Sequence, residues 1–362
     1  MAGISNEALR DLQATTLKNL PNMEFEVALQ HQEYNVVNNW FPKEKVQEES
    51  GTSIERNILL DNSGNARHTR LYQKSTLNVA DVQHKVTAPW VQIEGHYLIE
   101  RREALRNRKP AAYVKLLKSR RLDAMLAMAD LLEDRAWRAP HSSTDDLNPR
   151  GLAYWFSQLI PSTGDSDYNA GIDVGGGFSG RKVTFGDGTS TVTDKGGINP
   201  TAEPKWRNWA DTFSSIDDDF VKKMRKAFHA VKFKSPVLAS DLKKGPLSKY
   251  KIYMGLDNLT EFEDKTTKSN DSLGNDLDKF HGMTTFRRIP VVFAPQLDDA
   301  DNDPIYAVNH NKFFPIVLSG DWMRESEPML DIEMHNVIAT FVDGSYQYFC
   351  TNVREAGFVL HK

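Results

Sequence analysis

The sequence predicts an α+β protein organised around one long helix, and three observations carry that reading. Residues 111–138 contain neither glycine nor proline and are dense in alanine, leucine, methionine, lysine and arginine, which is the composition of an uninterrupted helix. The last third of the chain reads as short runs of β-branched and aromatic residues separated by turn residues. Between them a glycine-rich stretch, 160–200, follows neither period. Helices and strands segregated in this way point to antiparallel sheets with helices laid on them, not to alternating βαβ units.

Each element has its own justification. Ile4, Ala8, Leu12 and Leu17 would form one face of a short helix, with Pro21 beyond its end. From Asn22 to Gly51 there are too few apolar residues for a core, so residues 1–50 are expected to be an arm lying across another surface. Ile54–Asp61 reads as a strand, Asn62-Ser63-Gly64-Asn65 as a turn and His68–Lys74 as the returning strand, with a further β-rich run from Val82 to Ile99. This region, 51–100, carries Arg56, Arg67, Arg70, Lys74 and Lys85. A hairpin so polar is marginal by itself and is expected to project and pack on something else.

The long helix should bury Leu122, Met125, Ala129, Leu132 and Ala136 and stop at Pro140; at 1.5 Å per residue it would be about 40 Å long. Its approach is basic, with nine Arg or Lys between Arg101 and Arg121. A second helix is expected after Ser215 as N-cap, with Asp217, Asp218 and Asp219 at its positive end, Lys222, Lys223, Arg225 and Lys226 further along, and Phe220, Met224 and Phe228 buried. Strands are then predicted at Tyr250–Met254, Phe286–Ala294, Ile305–Asn309, Phe313–Leu318, Val337–Val342 and Tyr346–Thr351. Asp343-Gly344 would turn the last two into a hairpin, and Glu261–Gly282 would be a long polar loop.

Composition removes several function classes. With 45 basic and 49 acidic residues in 362 the formal charge is −4, not the footprint of a dedicated nucleic-acid binder. One cysteine, Cys350, allows no internal disulfide framework and no thiolate zinc cluster, and fits synthesis in a reducing cytoplasm. No apolar run reaches the ~18–20 residues that span a bilayer, and Met1–Leu20 lacks a signal-peptide core.

The motif-like patterns fail on context. Gly175, Gly177 and Gly180 have dinucleotide-loop spacing, but Arg181–Phe185 reads as a strand where a helix must begin; as a P-loop the segment has Arg181 in place of lysine. Asp299, Asp301 and Asp303 alternate like a calcium loop, yet Pro304 and His310 occupy the positions of the glycine and the bidentate glutamate. Cys350, beside Phe349, reads as a small core residue. No catalytic residue, cofactor or metal site is assigned from these patterns, and the chain is expected not to be an enzyme.

The order of elements is more specific than any motif. Tyr97-Leu98-Ile99-Glu100 running through Asn107 into the long helix, the Gly151-Leu152 step after it, Trp206-Arg207-Asn208-Trp209 ahead of the second helix and Val237, and the ending Val337–Thr351 with Asn352-Val353-Arg354-Glu355-Ala356-Gly357 resemble the major capsid protein of tailed bacteriophages, the Hong Kong 97 fold. The likeness runs from about Ser50 onward and is one of pattern, without an invariant signature.

That resemblance implies a virion shell subunit: an arm (1–50), an extended loop (51–100), a peripheral domain on the spine helix (101–204), an axial domain (205–335) and closing strands (336–362). It implies hexamers and pentamers of the chain itself tiling an icosahedral shell around double-stranded DNA, touched only non-specifically, with scaffolding and portal proteins as further partners and no membrane. Fifty residues are short for a built-in scaffolding segment, so a separate scaffolding protein is expected. On charge, Arg56, Arg67, Arg70 and Lys74 would meet acidic groups of a neighbouring subunit, and Glu263 and Asp264 would lie near a capsomer axis. A nanocompartment shell of the same fold, or a soluble α+β enzyme with a site near Gly175–Gly180, stay open as alternatives at this point.

Overall fold

The computed structural model describes residues 34–60, 64, 66–70, 82–106, 110–159, 177–180, 183–186, 191–192, 194–233, 249–270, 284–287, 289–298, 300–330 and 336–362. The chain divides into two compact units, both assembled from separated stretches of sequence.

The first unit takes Met1–Ser50, Trp90–Asp134 and Ile316–Tyr346. Its frame is an antiparallel pair in which Val91–Glu100 runs beside Val337–Tyr346 without a register break. Val46–Glu48 adds in parallel to Ile316–Leu318. The long helix, α1, spans Pro110–Trp137. Among the described side chains its buried apolar positions in this unit are Leu117, Ala124, Met128 and Leu132, so the apolar stripe expected through Met125 and Ala129 is displaced by one residue, and those two are only half-buried. Gly95 decides between the stripes: a Cβ there would lie 2.6 Å from the Met128 sulfur, so the missing side chain is the socket for Met128.

Asp343-Gly344 is not a turn. Val337–Cys350 is one unbroken strand of 14 residues, and Gly344 is small because Trp322 packs on it: a Cβ would fall 3.1 Å from Trp322 Cε3 and 3.3 Å from Ile93 Cγ2. The glycine serves a close approach, not a reversal of the chain.

The described end of the arm folds onto this unit. Val36, Trp40 and Phe41 are buried, and Phe41 stacks on Trp322 at 4.7 Å and 8°. The first backbone amides of this short helical run are capped from α1, because the Glu133 carboxylate accepts from Asn35 N at 3.0 Å, Val36 N at 2.7 Å and Val37 N at 3.3 Å. The expected helix at residues 4–17 lies outside the described residues.

The second unit holds Gly51–Pro89, Arg135–Pro315 and Gln347–Lys362. Its seven-stranded sheet has the order Thr285–Phe286, Ile289–Phe293, Tyr250–Met254, Ile305–Asn309, Gly357–His361, Asn208–Thr212, Gly177–Gly180. Helix α2, Asp218–Ala230, and helix α3, Leu256–Asn270, pack on it. Phe220, Met224 and Phe228 of α2 and Phe262 of α3 share a core with Ile252, Ile305, Phe358 and Leu360. The N-cap of α2 is Asp217, whose carboxylate accepts from Asp219 N and Phe220 N; Ser215 does not fill that role. Helix α3 replaces the first part of the expected polar loop, because Leu259 and Phe262 give an otherwise polar segment enough apolar edge to dock. The rest of that loop, 271–282, lies outside the described residues.

The hairpin pairs differently from the expectation. Ser53–Leu59 pairs antiparallel with Gln83–Pro89, while residues 66–70 have no regular structure. His68–Lys74 is therefore not the returning strand where it is described, and the connection between the two strands runs from 60 to 82. The expected turn at 62–65 lies mostly outside the described residues.

Candidate subunit-contact surfaces

At its base the hairpin is anchored by backbone chemistry. Thr87 N donates to Gly196 O at 2.9 Å, Arg150 Nη1 donates to Thr87 O at 2.8 Å, and Gln347 Nε2 donates to Pro89 O at 2.9 Å. Ile54, Val86 and Ala88 are buried there. At the other end of the paired strands Leu59 is 67% exposed. The hairpin is thus fixed at its base, and near its other end His84 lies 3.7 Å from Glu203 while Leu59 stays exposed.

Gly151 helps to set this base. It begins the segment after α1, and a Cβ on it would stand 2.3–2.6 Å from the carbonyl oxygens of Arg138, Ala136 and Arg135; only glycine lets the chain double back so close to the helix end. Tyr154 and Trp155 follow and are buried, with Trp155 Nε1 donating to Tyr348 O at 3.1 Å.

Beneath the turn that holds Thr87 lies Lys195. Its side chain is wholly buried, and Nζ donates to Asn208 Oδ1 at 2.6 Å and to Trp155 O at 3.3 Å. Burial lowers its pKa to about 7, because taking an ammonium out of water disfavours the charged form. Cys350 is buried nearby, its thiol pushed up to about 12 chiefly by burial. It is a buried core thiol, as its apolar neighbours implied.

In the first unit the counterpart feature is a three-residue cluster. Arg121 reaches Glu325 with Nε at 3.0 Å and Nη2 at 3.2 Å, and Tyr97 OH donates to Glu325 Oε1 at 2.5 Å. Burial and that carboxylate both raise the Tyr97 pKa. Arg120 donates to Leu98 O and to Glu103 Oε1. The basic approach to α1 is thus partly spent on fixing the helix to its sheet.

The six charged residues singled out in the sequence are not one cluster. Arg56 is half-buried within the hairpin ladder, opposite Val86; beside it Lys85 forms an ion pair with Glu55. Arg67 and Arg70 are exposed in the irregular continuation. Lys74 lies outside the described residues. Glu263 and Asp264 are exposed on α3, a different element, where Glu263 accepts from Thr284 Oγ1 at 2.7 Å. Glu133, Glu325 and Lys195 were not singled out, and no sequence signal marks them: each is an ordinary charged residue made special by partners 13 to 228 positions away that only the fold brings close.

The described part of the glycine pattern is a strand. Gly177–Gly180 is an edge strand paired to Asn208–Thr212 with a register irregularity, not a loop opening a helix; Gly175 lies outside the described residues. Of the three aspartates, Asp303 forms an ion pair with Lys362 at 2.9 Å. Among the described residues no group of three metal-ligating side chains comes together, and no helix is long and apolar enough to cross a membrane.

No family model and no curated protein matches the sequence. Solved structures do match its fold. A chain of the cyanophage A-1(L) capsid asymmetric unit superposes with a TM-score of 0.61 at 12% identity, covering 95% of this chain and 97% of that one. A chain of the capsid of Myoviridae phage XM1 gives a TM-score of 0.54 at 13% identity, again covering 95% and 97%. The likeness spans both units and nearly every residue of each partner, which a shared sub-motif could not do. The chain has the capsid fold of tailed bacteriophages, the Hong Kong 97 fold that its order of elements resembles.

Proposed function

We propose that this chain is a major capsid protein, a structural subunit that assembles with copies of itself into hexamers and pentamers of an icosahedral shell around double-stranded DNA. The observation that carries the reading is end-to-end coverage, 95% of this chain against 97% of a phage capsid chain. A hairpin anchored at its base and exposed at its end supports it. Such a projection buries its remaining apolar surface only on a neighbour, which makes assembly concentration-dependent. Arg67 and Arg70 are the cations best placed for that contact, being exposed beyond the paired strands; Arg56 contributes through the ladder. Scaffolding and portal proteins complete the partner set, and the virion, built in the host cytoplasm, is the site of action.

The test is expression of the full chain, alone and with its neighbouring phage genes, followed by negative-stain microscopy. Rings or closed shells are expected. A subunit that stays solitary at high concentration in both settings contradicts the reading.

A further inference from the structure

Two neighbouring helices of the second unit carry exposed stripes of opposite charge with identical spacing. On α2, Lys222, Arg225, Lys226 and His229 are all exposed, and Lys232 follows. On α3, Asp257, Thr260 and Asp264 are exposed and Glu261 half-exposed. Both sets fall at i, i+3, i+4 and i+7, so each occupies one ~100° arc of its helix and runs about 10 Å along the axis.

Asp218 lies one turn before Lys222 and Lys226 sits 5.9 Å from the Trp209 ring centroid, but among the described residues neither stripe is neutralised by an ion pair. Like charges sit four apart in both, Lys222 with Lys226 and Asp257 with Glu261, a spacing that disfavours the isolated helix. The ion pairs that are made lie outside the stripes: Lys223 with Asp219 at 2.9 Å and Lys265 with Asp218 at 2.9 Å. Among the described residues, no ion pair joins Lys222, Arg225 or Lys226 to Asp257, Glu261 or Asp264. The Lys265–Asp218 pair, with the bond from Ile216 N just ahead of α2 to Glu261 Oε1 at 3.1 Å, joins α3 to the start of α2, so the two stripes lie on adjoining helices.

We propose that these stripes are the two halves of a head-to-tail contact, the α2 cations of one subunit meeting the α3 carboxylates of the next around a ring. The occupant of each stripe is a second copy of this chain, chosen by charge complementarity. Contact between two different patches is heterologous and propagates until it closes as a ring. The inference rests on the shell reading and adds to it which surfaces face each other.

Ring symmetry supplies a test. One variant carries Lys222→Glu and Arg225→Glu, leaving both stripes acidic; a second carries Asp257→Lys and Asp264→Lys, leaving both basic. Each alone places like charge on like charge at every contact and should weaken ring formation on the order of 100-fold. Mixed in equal amounts they alternate, every contact regains opposite charges, and rings return in even-numbered form only. Hexamers should reappear while pentamers, and with them closed shells, should not. A chain carrying all four substitutions should restore both.

Native mass spectrometry reads the ring sizes, with the unaltered chain as reference. Reversal variants that form hexamers and pentamers like the reference overturn the proposal, and so do variants that fail singly and are rescued neither by mixing nor by the fourfold swap. If the unaltered chain forms no rings, it is the shell reading that fails.

Discussion

Replacing Lys195 with methionine should alter how stability depends on pH, and the expected change can be worked from the structure. The Lys195 pKa falls from 10.5 to about 7 on folding. Between those values the unfolded chain holds a proton that the folded chain lacks, so stability rises with pH across that window. Below pH 7 both states are protonated and the whole cost is present, about 5 kcal/mol at 1.36 kcal/mol per unit. Cys350 acts in the opposite sense: its thiol, raised from 9.0 to about 12, makes stability fall above pH 9. The clean interval is therefore pH 7 to 9, over which Lys195 contributes a rise of roughly 2–3 kcal/mol.

Methionine removes that slope. It also removes the donor to Trp155 O and one of the donors to Asn208 Oδ1, which still accepts from Ser157 N at 3.2 Å; the loss is about 1–3 kcal/mol. The variant should be the more stable protein at pH 7, and its advantage should shrink or reverse by pH 9. Urea unfolding of unassembled subunits, followed by tryptophan fluorescence at half-unit pH steps, measures both curves. Parallel curves for the two proteins would refute the reasoning, since they would mean that Lys195 is not forced toward neutrality by burial.

Other expectations follow from single contacts. Glu133→Ala removes the acceptor of three backbone amides and should cost about 3 kcal/mol, visible as faster hydrogen exchange across residues 35–44 while α1 stays protected. Gly344→Val sets a branched side chain against Trp322 and Ile93 and should destabilise the first unit by roughly 1–3 kcal/mol, seen as a lower urea midpoint. His310, whose pKa burial lowers from 6.5 to about 3, makes stability fall as pH drops from 6.5 toward 3; His310→Phe should flatten that acid limb. Arg67→Glu with Arg70→Glu should abolish capsomers while leaving the circular dichroism of the subunit unchanged.

What the sequence made legible was the set of elements that declare themselves locally. The long helix, the second helix with Phe220, Met224 and Phe228 buried, and the strands 250–254, 305–309 and 313–318 all follow from period and composition. The misread places were settled by distant groups. Asp343-Gly344 carries a strong turn signal, but the strand from Val91 to Glu100 pairs straight across it and Trp322 needs the space. The stripe of α1 could lie on either of two faces one residue apart, and Gly95 chose. The hairpin partner of Ser53–Leu59 was sought in the nearer polar run because nothing in the sequence of residues 66–70 marks them as irregular. At the surface, Arg67, Arg70, Glu263 and Asp264 were visible as charges. That α3 is a helix whose acidic stripe matches the spacing of the basic stripe on α2 became visible only once both helices lay on one sheet.

The central claim is that subunits complete their structure on one another. Sedimentation velocity of the full chain across a hundredfold range of concentration tests it most directly, with electron microscopy of each sedimenting species. Growth of ring-sized and shell-sized species at the expense of the monomer, with the fingers at 53–89 protected from protease only in those species, is the expected result. A single 41.0 kDa species at every concentration, equally protected throughout, would contradict it.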